Sequence, residues 1–381
     1  MSFTENNHYV PQWYQKRFIP AGAKEQKLYY LDLSPDKVIH PDGKFHYRNE
    51  MRFLGTVNCF VQEHLYTQFF GNYATDVIEK RFFGRIDNLG ATAVDFFSNY
   101  SVRDVAHEAF QNFGYFLNAQ KLRTPKGLDF LRLLSSSSHQ NALRLMEQIY
   151  LIHGTIWSEG VWQILECDQS DTKFIISDHP VTTYNKKLFP ALKESQYPFD
   201  APIEQVGTHT IFPLNLNRCL VITNLEYVRF PGINPLKVRE NARYFDNTLF
   251  DLTRIQTGRQ ISQREVRAIN YIIKRRARRF IAAATKEWLY PEKFLKSQVW
   301  NKLGDKFFLM PDPRKVTFTT EITAGWGNGS VWRTDEYGRR GIDDDKIATK
   351  RAFESKTFFQ SWKDWDNEFG PLSRDELKRF F

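Results

Sequence analysis

The sequence predicts an α+β fold, mainly helical, with a small antiparallel sheet of about four strands and an appended C-terminal subdomain. Three observations lead there. Apolar residues recur at helical spacing over 73–152 and again after Pro235. Between them, over 161–223, period-2 signals take over, divided by turn signals, as strands require. From about Trp300 the composition changes: Trp326, Trp332, Trp362 and Trp365 follow, with the Gly325-Trp326-Gly327-Asn328-Gly329 turn and the Asp343-Asp344-Asp345 run. The expected division is a main domain over 1–300 and a Trp-rich subdomain over 301–381.

Each element has its own signal. Pro11 suits the first turn of a helix, where its missing N–H costs nothing. Tyr14 and Phe18 then share one face, and His8 stands just ahead of the helix. Residues 24–33 read as a strand that opens a hairpin, and 57–70 as a short helix. Val77, Ile78, Phe82, Ile86 and Leu89 mark a helix with Glu79 in its middle. A second helix over 102–121 stops at Arg123-Thr124-Pro125, because a proline biases the preceding residue away from helix. A third follows to about Ile152, with Ser135–Ser138 as a break or exposed turn. Strands are expected over 161–167, 172–176, 208–212 and 219–223, the second running into Ser177-Asp178-His179-Pro180. The loop over 185–207 is long enough to be functional in its own right. The longest helix is expected over 259–286. Val266, Ile269, Ile273, Ala277 and Phe280 lie on one arc of it, and Arg264, Arg267, Lys274, Arg275, Arg278 and Arg279 lie opposite.

The charge is as uneven as the hydropathy. The chain carries a net +9, and 236–286 alone holds 13 Lys and Arg against four Asp and Glu, an excess equal to that of the whole. Such a concentration points to an anionic partner, with a solvated helix face as the plain alternative. Three widely spaced cysteines, Cys59, Cys167 and Cys219, argue against a disulfide framework or a cysteine zinc site. No apolar h-region precedes Val10 and no run approaches the ~18 apolar residues of a membrane span, so a cytoplasmic protein without a signal peptide or membrane segment is expected. Aromatic residues reach 15%, with 33 Phe, so rings carry much of the packing. No P-loop, His-Glu-x-x-His or Gly-x-Ser-x-Gly pattern is present.

Separated segments resemble one family, the bacterial domain-of-unknown-function family 4238 (DUF4238). They are His8-Tyr9-Val10-Pro11-Gln12 with Tyr14 and Phe18, the helix with Ile78-Glu79, Arg123-Thr124-Pro125, Phe174 to Val181 with its Ser-Asp-x-Pro signature, Phe212-Pro213-Leu214, and Asn270 with Ala277, Arg279 and Phe280. The resemblance covers roughly 8–285 and implies a fold and a set of positions, not a reaction.

The polar members of these segments are His8, Gln12, Glu79, Arg123, Asp178 and His179. Their types suit phosphodiester cleavage: His8 as general acid or base, Arg123 for the developing phosphorane charge, and Glu79 and Asp178 to hold a divalent metal such as magnesium or to orient the histidine. Gln12 and His179 would support them. A buried structural network draws on the same residue types: Asp178 caps backbone N–H groups, and Arg123 pairs with Glu79 or Asp178 between helices. The expected function is a nuclease, acting on RNA rather than DNA, of bacterial toxin or antiphage-defence type, with Arg264, Arg267, Lys274, Arg275, Arg278 and Arg279 holding phosphates. The alternatives are a non-catalytic nucleic-acid- or protein-binding module, with a protein partner on the Trp-rich tail, and a small-molecule enzyme using 185–207 as a lid.

Overall fold

The computed structural model describes residues 6–63, 65, 84–101, 107–134, 139–239, 255–303, 307–316, 322–325, 327–334, 337, 354, 356, 358–359 and 361–374. Glu79 lies outside the described residues, as do Trp326 and the Asp343-Asp344-Asp345 run.

In chain order come β1 (Asn6–His8), α1 (Gln12–Lys16), β2 (Lys27–Asp32), β3 (Lys37–Ile39), β4 (Phe45–Tyr47), β5 (Met51–Gly55) and β6 (Val61–Glu63). The helices α2 (Gly84–Ser98), α3 (His107–Leu122), α4 (Pro125–Leu134) and α5 (His139–Glu159) follow. Then come β7 (Val161–Glu166), β8 (Ile176–Ser177), β9 (Thr182–Tyr184), β10 (His209–Pro213), β11 (Arg218–Thr223), α6 (Leu225–Arg229), β12 (Ile255–Gln260), α7 (Gln263–Arg276) and β13 (Phe280–Ala283). Two short helices, α8 (Trp300–Leu303) and α9 (Trp362–Phe369), flank the hairpin of β14 (Ile322–Gly325) and β15 (Val331–Thr334).

The fold is a mixture of helices and several sheets, a correction to the expected single sheet of about four strands. One sheet has five strands in the order β12-β7-β11-β10-β9, antiparallel except for the β12–β7 pair. A second has four antiparallel strands in the order β5-β2-β13-β8. β1 pairs with β6 and β3 with β4. The period-2 signal of the second sheet is interrupted in sequence: β2 and β13 are hydrogen-bonded neighbours separated by some 250 residues. No local reading joins them.

The core is built from rings. Trp162 on β7 packs against Phe97 of α2 and Phe110 and Phe113 of α3, with centroids 5.2–5.6 Å apart. Strands β10 and β11 are almost wholly buried, so both their faces meet the core where the period-2 reading expected one face in water. The opening helix docks on them. Tyr14 stacks on Phe212 at 5.1 Å, and its hydroxyl donates to the Pro213 carbonyl at 2.6 Å.

Two helices differ from expectation. Residues 57–70 do not open as a helix: a 3₁₀ turn over Thr56–Asn58 leads into β6, whose Val61 pairs with His8. The expected helix over 259–286 is three elements. β12 precedes α7, which begins at a capping box made by Ser262 and Glu265 and ends at Arg276, and β13 follows. The helical period persists past Arg276, but the backbone turns there because the Asp178 carboxylate takes the N–H groups of Arg278, Arg279 and Phe280 at 2.6–2.8 Å. Inside α7, Asn270 accepts from Ile175 N–H and donates to the Lys173 carbonyl, fixing the segment that enters β8. The expected strand over 172–176 is thereby reduced to two ladder residues.

Cys59, Cys167 and Cys219 are buried free thiols. Among the described residues no helix is long and apolar enough to cross a membrane.

Candidate functional site

Of the expected quartet, His8, Arg123 and Asp178 make separate structural contacts, and Glu79 lies outside the described residues. His8 ends β1, and its Nε2 bonds the Val57 carbonyl at 2.9 Å; no hydrogen bond joins it to Asp178. Its neighbour Tyr9 turns inward instead and is buried. Asp178 is 2% exposed and ties β8 to the start of β13 through the three N–H bonds described above. Burial pushes its carboxyl up from the ordinary value, and those three donors pull it part of the way back. Arg123 is fully buried: Nε and Nη2 donate to Gln120 Oε1, and Nη1 to Asp87 Oδ1 at 2.7 Å. Gln120 in turn donates to the Tyr9 carbonyl. The arginine therefore links the N-terminal segment to α2 and α3. Gln12 opens α1 as a half-buried residue. Among the described residues no three His, Cys, Asp or Glu side chains are grouped to hold a metal ion. Asp178, its oxygens already turned to backbone donors, is a poor ligand for the expected magnesium.

His179 is the exception. The Arg-Thr-Pro turn and the Ser-Asp-His-Pro segment meet at a single hydrogen bond, between Thr124 Oγ1 and His179 Nδ1 at 2.8 Å. Thr124 caps α4, accepting the Gly127 N–H, and Pro125 takes the first helical position. Residue 127 must be glycine here. A Cβ would lie 2.3 Å from the Lys121 carbonyl oxygen, so the start of α4 sits directly on the end of α3. On the far side of the ring, His179 Nε2 bonds Asp200 Oδ2 at 2.9 Å. Asp200 also accepts Lys121 Nζ at 2.9 Å and Lys126 Nζ at 2.6 Å, and Lys126 donates onward to the Arg276 carbonyl at the end of α7.

The electrostatics follow from burial and partners. Burial opposes ionisation of Asp200, but Lys121, Lys126 and His179 outweigh it and hold the carboxyl well below the usual range. Burial lowers His179 to about 4 in spite of Asp200, so the ring is neutral at pH 7. It lowers the Lys126 ammonium too, which Asp200 partly restores.

This cluster lines a cavity of about 520 Å³. The walls come from the ends of α3 and α4, from α5, and from the loop over 194–204. Phe130, Leu145, Ile149 and Phe199 belong to its apolar lining, and Lys121, His153, His179, Asp200, Glu194 and Glu204 to its polar lining. His153 Nδ1 bonds Asn118 Oδ1 at 3.1 Å. An amide oxygen only accepts, so Nδ1 carries the proton and Nε2 presents a lone pair. Burial, and Lys121 after it, lower His153 to about 3, so this ring is neutral as well. The loop is fastened from beneath. The buried Arg276 guanidinium donates to the Ser195 and Leu188 carbonyls and lies over Trp300.

The basic residues separate into two sets. Lys274 pairs with Glu292 at 2.8 Å, Arg279 with Asp32 and Asp36, and Arg278 reaches Tyr197 and Asp129. Arg278 and Arg279 lie beyond α7, so they are not part of its face. Arg264, Arg267 and Arg275 have no ion-pair partner among the described residues; Arg267 lies over Phe294 and Arg275 over Phe189. Sequence reasoning missed Lys121, Lys126, His153, Asp200 and Arg276. The length of the 185–207 loop was the only signal that pointed at Asp200.

A family model described as "Protein of unknown function (DUF4238)" matches residues 6–287, which takes in every element from β1 to β13. No curated protein and no solved structure matches the chain. The match spans well over half of the sequence and includes both segments that meet at the Thr124–His179 bond, so the chain belongs to the DUF4238 family.

Proposed function

We propose that this chain binds a small amphipathic organic anion in the cavity between α3, α4, α5 and the 194–204 loop. The observation that carries the reading is the hydrogen-bonded cluster of Lys121, His179 and Asp200, with His153, on the lining of a mainly apolar cavity that Glu194 and Glu204 also line. Its volume lies in the range of small-molecule sites, and few polar groups on apolar walls is the composition such sites have. Lys121 donates one hydrogen bond to Asp200 and keeps its other N–H groups for a ligand. His153 offers a lone pair held in one direction by Asn118, which suits it to accept a proton from a ligand hydroxyl or amine. His179 and Asp200 position Lys121 and do not themselves need to touch the ligand. Reduced, buried cysteines fit a cytoplasmic setting for this binding.

The test uses 8-anilinonaphthalene-1-sulfonate, an apolar anion that fluoresces when enclosed. Wild type is expected to bind it saturably. Ile149→Trp, which fills the cavity, should abolish that binding while leaving the urea midpoint within the range of a tolerated substitution. Unchanged binding by Ile149→Trp would contradict the reading.

A second reading, the RNA nuclease of toxin or antiphage-defence type, keeps support from Arg264, Arg267 and Arg275, whose charges are uncompensated among the described residues. Replacing all three with Gln should weaken RNA retention on a filter and flatten its salt dependence. Equal retention by variant and wild type would leave these arginines a solvated face.

A further inference from the structure

A second cavity, of about 340 Å³, lies between β9, β10, α6 and the residues Asn301, Phe307, Leu309 and Met310. Tyr184, Lys186, His209 and Tyr227 line it together with Phe307 and Met310. Its wall is aromatic. The Tyr184 and His209 rings are stacked with centroids 6.2 Å apart, and Tyr227 meets His209 edge-on at 5.9 Å.

The hydrogen bonds around His209 fix its tautomer. Its Nδ1 is 2.8 Å from Thr223 Oγ1. Thr223 is fully buried, and this is the one hydrogen bond its hydroxyl makes among the described residues. If the ring donated to Oγ1, the hydroxyl hydrogen would be buried without an acceptor, at the full desolvation cost of that group. The hydroxyl therefore donates to Nδ1, and Nε2 carries the ring proton. His209 is only 5% exposed, and Nε2–H has no partner among the described residues. Two more donors line the same cavity. The Tyr227 hydroxyl, on a residue 4% exposed, has no hydrogen-bond partner among the described residues. The Lys186 ammonium lies 5.9 Å from the Tyr227 ring centroid, with no carboxylate paired to it among the described residues. Glu226, which precedes Tyr227 in the chain, is occupied by Lys237 at 3.0 Å. Burial and Lys186 together hold His209 neutral, at about 3, and no carboxylate acts to raise it.

We infer that this cavity is a binding site for a small organic monoanion, a carboxylate on a flat apolar body. One full positive charge with two neutral donors matches the charge and the acceptors of a carboxylate. The ring faces and Met310 take the apolar body. Lys186 is half-buried, and the three donors, unpaired among the described residues, line one cavity, where a carboxylate can meet all of them.

Equilibrium dialysis with radiolabelled benzoate tests the assignment. It is done in Ile149→Trp protein, so that the larger cavity does not contribute; Lys121→Met serves as a second background. One equivalent of benzoate is expected to bind with a Kd of about a millimolar or tighter. Adding Tyr227→Phe, which removes one hydroxyl, should weaken binding about three- to tenfold, and adding Lys186→Met by about tenfold or more. Benzylamine, the cation of similar shape, should not compete. Absence of saturable binding, or binding indifferent to both substitutions, overturns the proposal. Tighter binding of phenyl phosphate than of benzoate overturns the choice of a monoanion.

Discussion

Asp178, fully buried, and Asp200, nearly so, both lie close to the C-terminal end of α7 and are opposite in behaviour. Asp178 meets backbone: three successive N–H groups that open β13. Asp200 meets side chains: two ammonium groups and a neutral imidazole on the lining of a cavity. Burial wins at Asp178, whose carboxyl is raised, and cations win at Asp200, whose carboxyl is lowered. A carboxylate that closes a turn belongs to the fold. One held among cations beside an open volume leaves charge and donors for something else. The Ser-Asp-His-Pro segment contains both situations in adjacent residues, since Asp178 looks toward β13 and His179 toward Asp200.

Substitutions at the two aspartates should separate these roles. Asp200→Leu leaves two buried ammonium groups without their counter-charge, and we expect a loss of about 3–5 kcal/mol in urea unfolding. It should also abolish binding in the cavity, because Lys121 loses its anchor. Asp178→Asn keeps an acceptor oxygen at the turn and should cost about 1–3 kcal/mol while leaving anion binding intact. If Asp178→Asn weakened binding as much as Asp200→Leu does, the division between fold and site would fail.

The pH dependence gives a broader test. Burial lowers His179 to about 4, and His153 and His209 to about 3. In the unfolded chain these rings take up protons near pH 6.5, which the fold refuses. Stability carried by neutral histidines is thus present above about 6.5 and is lost as pH falls toward their folded values. Asp200, lowered, keeps its contribution through this window, since a depressed carboxyl gives way only as pH falls through its own low value. Asp178 is raised, so its term has the opposite sign and weakens the fold as pH rises through its folded value. Urea midpoints should therefore fall steadily from about pH 6.5 to about pH 4. A flat profile there would mean the histidines are hydrated. The smallest stability effect is expected for Arg264, Arg267 and Arg275, whose joint replacement by Gln should shift unfolding by about 0.5 kcal/mol or less, because no ion pair among the described residues is broken.

Much of this was legible locally. The apolar period placed α3, the strand signals placed β7, β10 and β11, and Pro125 marked the turn between α3 and α4. The motif segments were right as landmarks. Their meeting point was not legible, because Thr124 and His179 are 55 residues apart and Lys121 and Asp200 are 79 apart. No helical or strand period reports a contact of that range. The end of α7 was hidden for a related reason. Ala277 and Phe280 continue the apolar arc of the helix, and only a carboxylate a hundred residues upstream turns the chain. The basic stripe misled in the same way, since the acids that neutralise Lys274 and Arg279 come from other elements.

The central claim, that Lys121 on the lining of the larger cavity holds an anion, is tested most directly by calorimetric titration of decanoate into wild type, Lys121→Met and Lys186→Met at pH 7.5. The account predicts that Lys121→Met, folded but with a lowered urea midpoint because Asp200 loses one of its cations, weakens binding about tenfold, while Lys186→Met, in the other cavity, binds decanoate as wild type does. Equal affinity for wild type and Lys121→Met would contradict it.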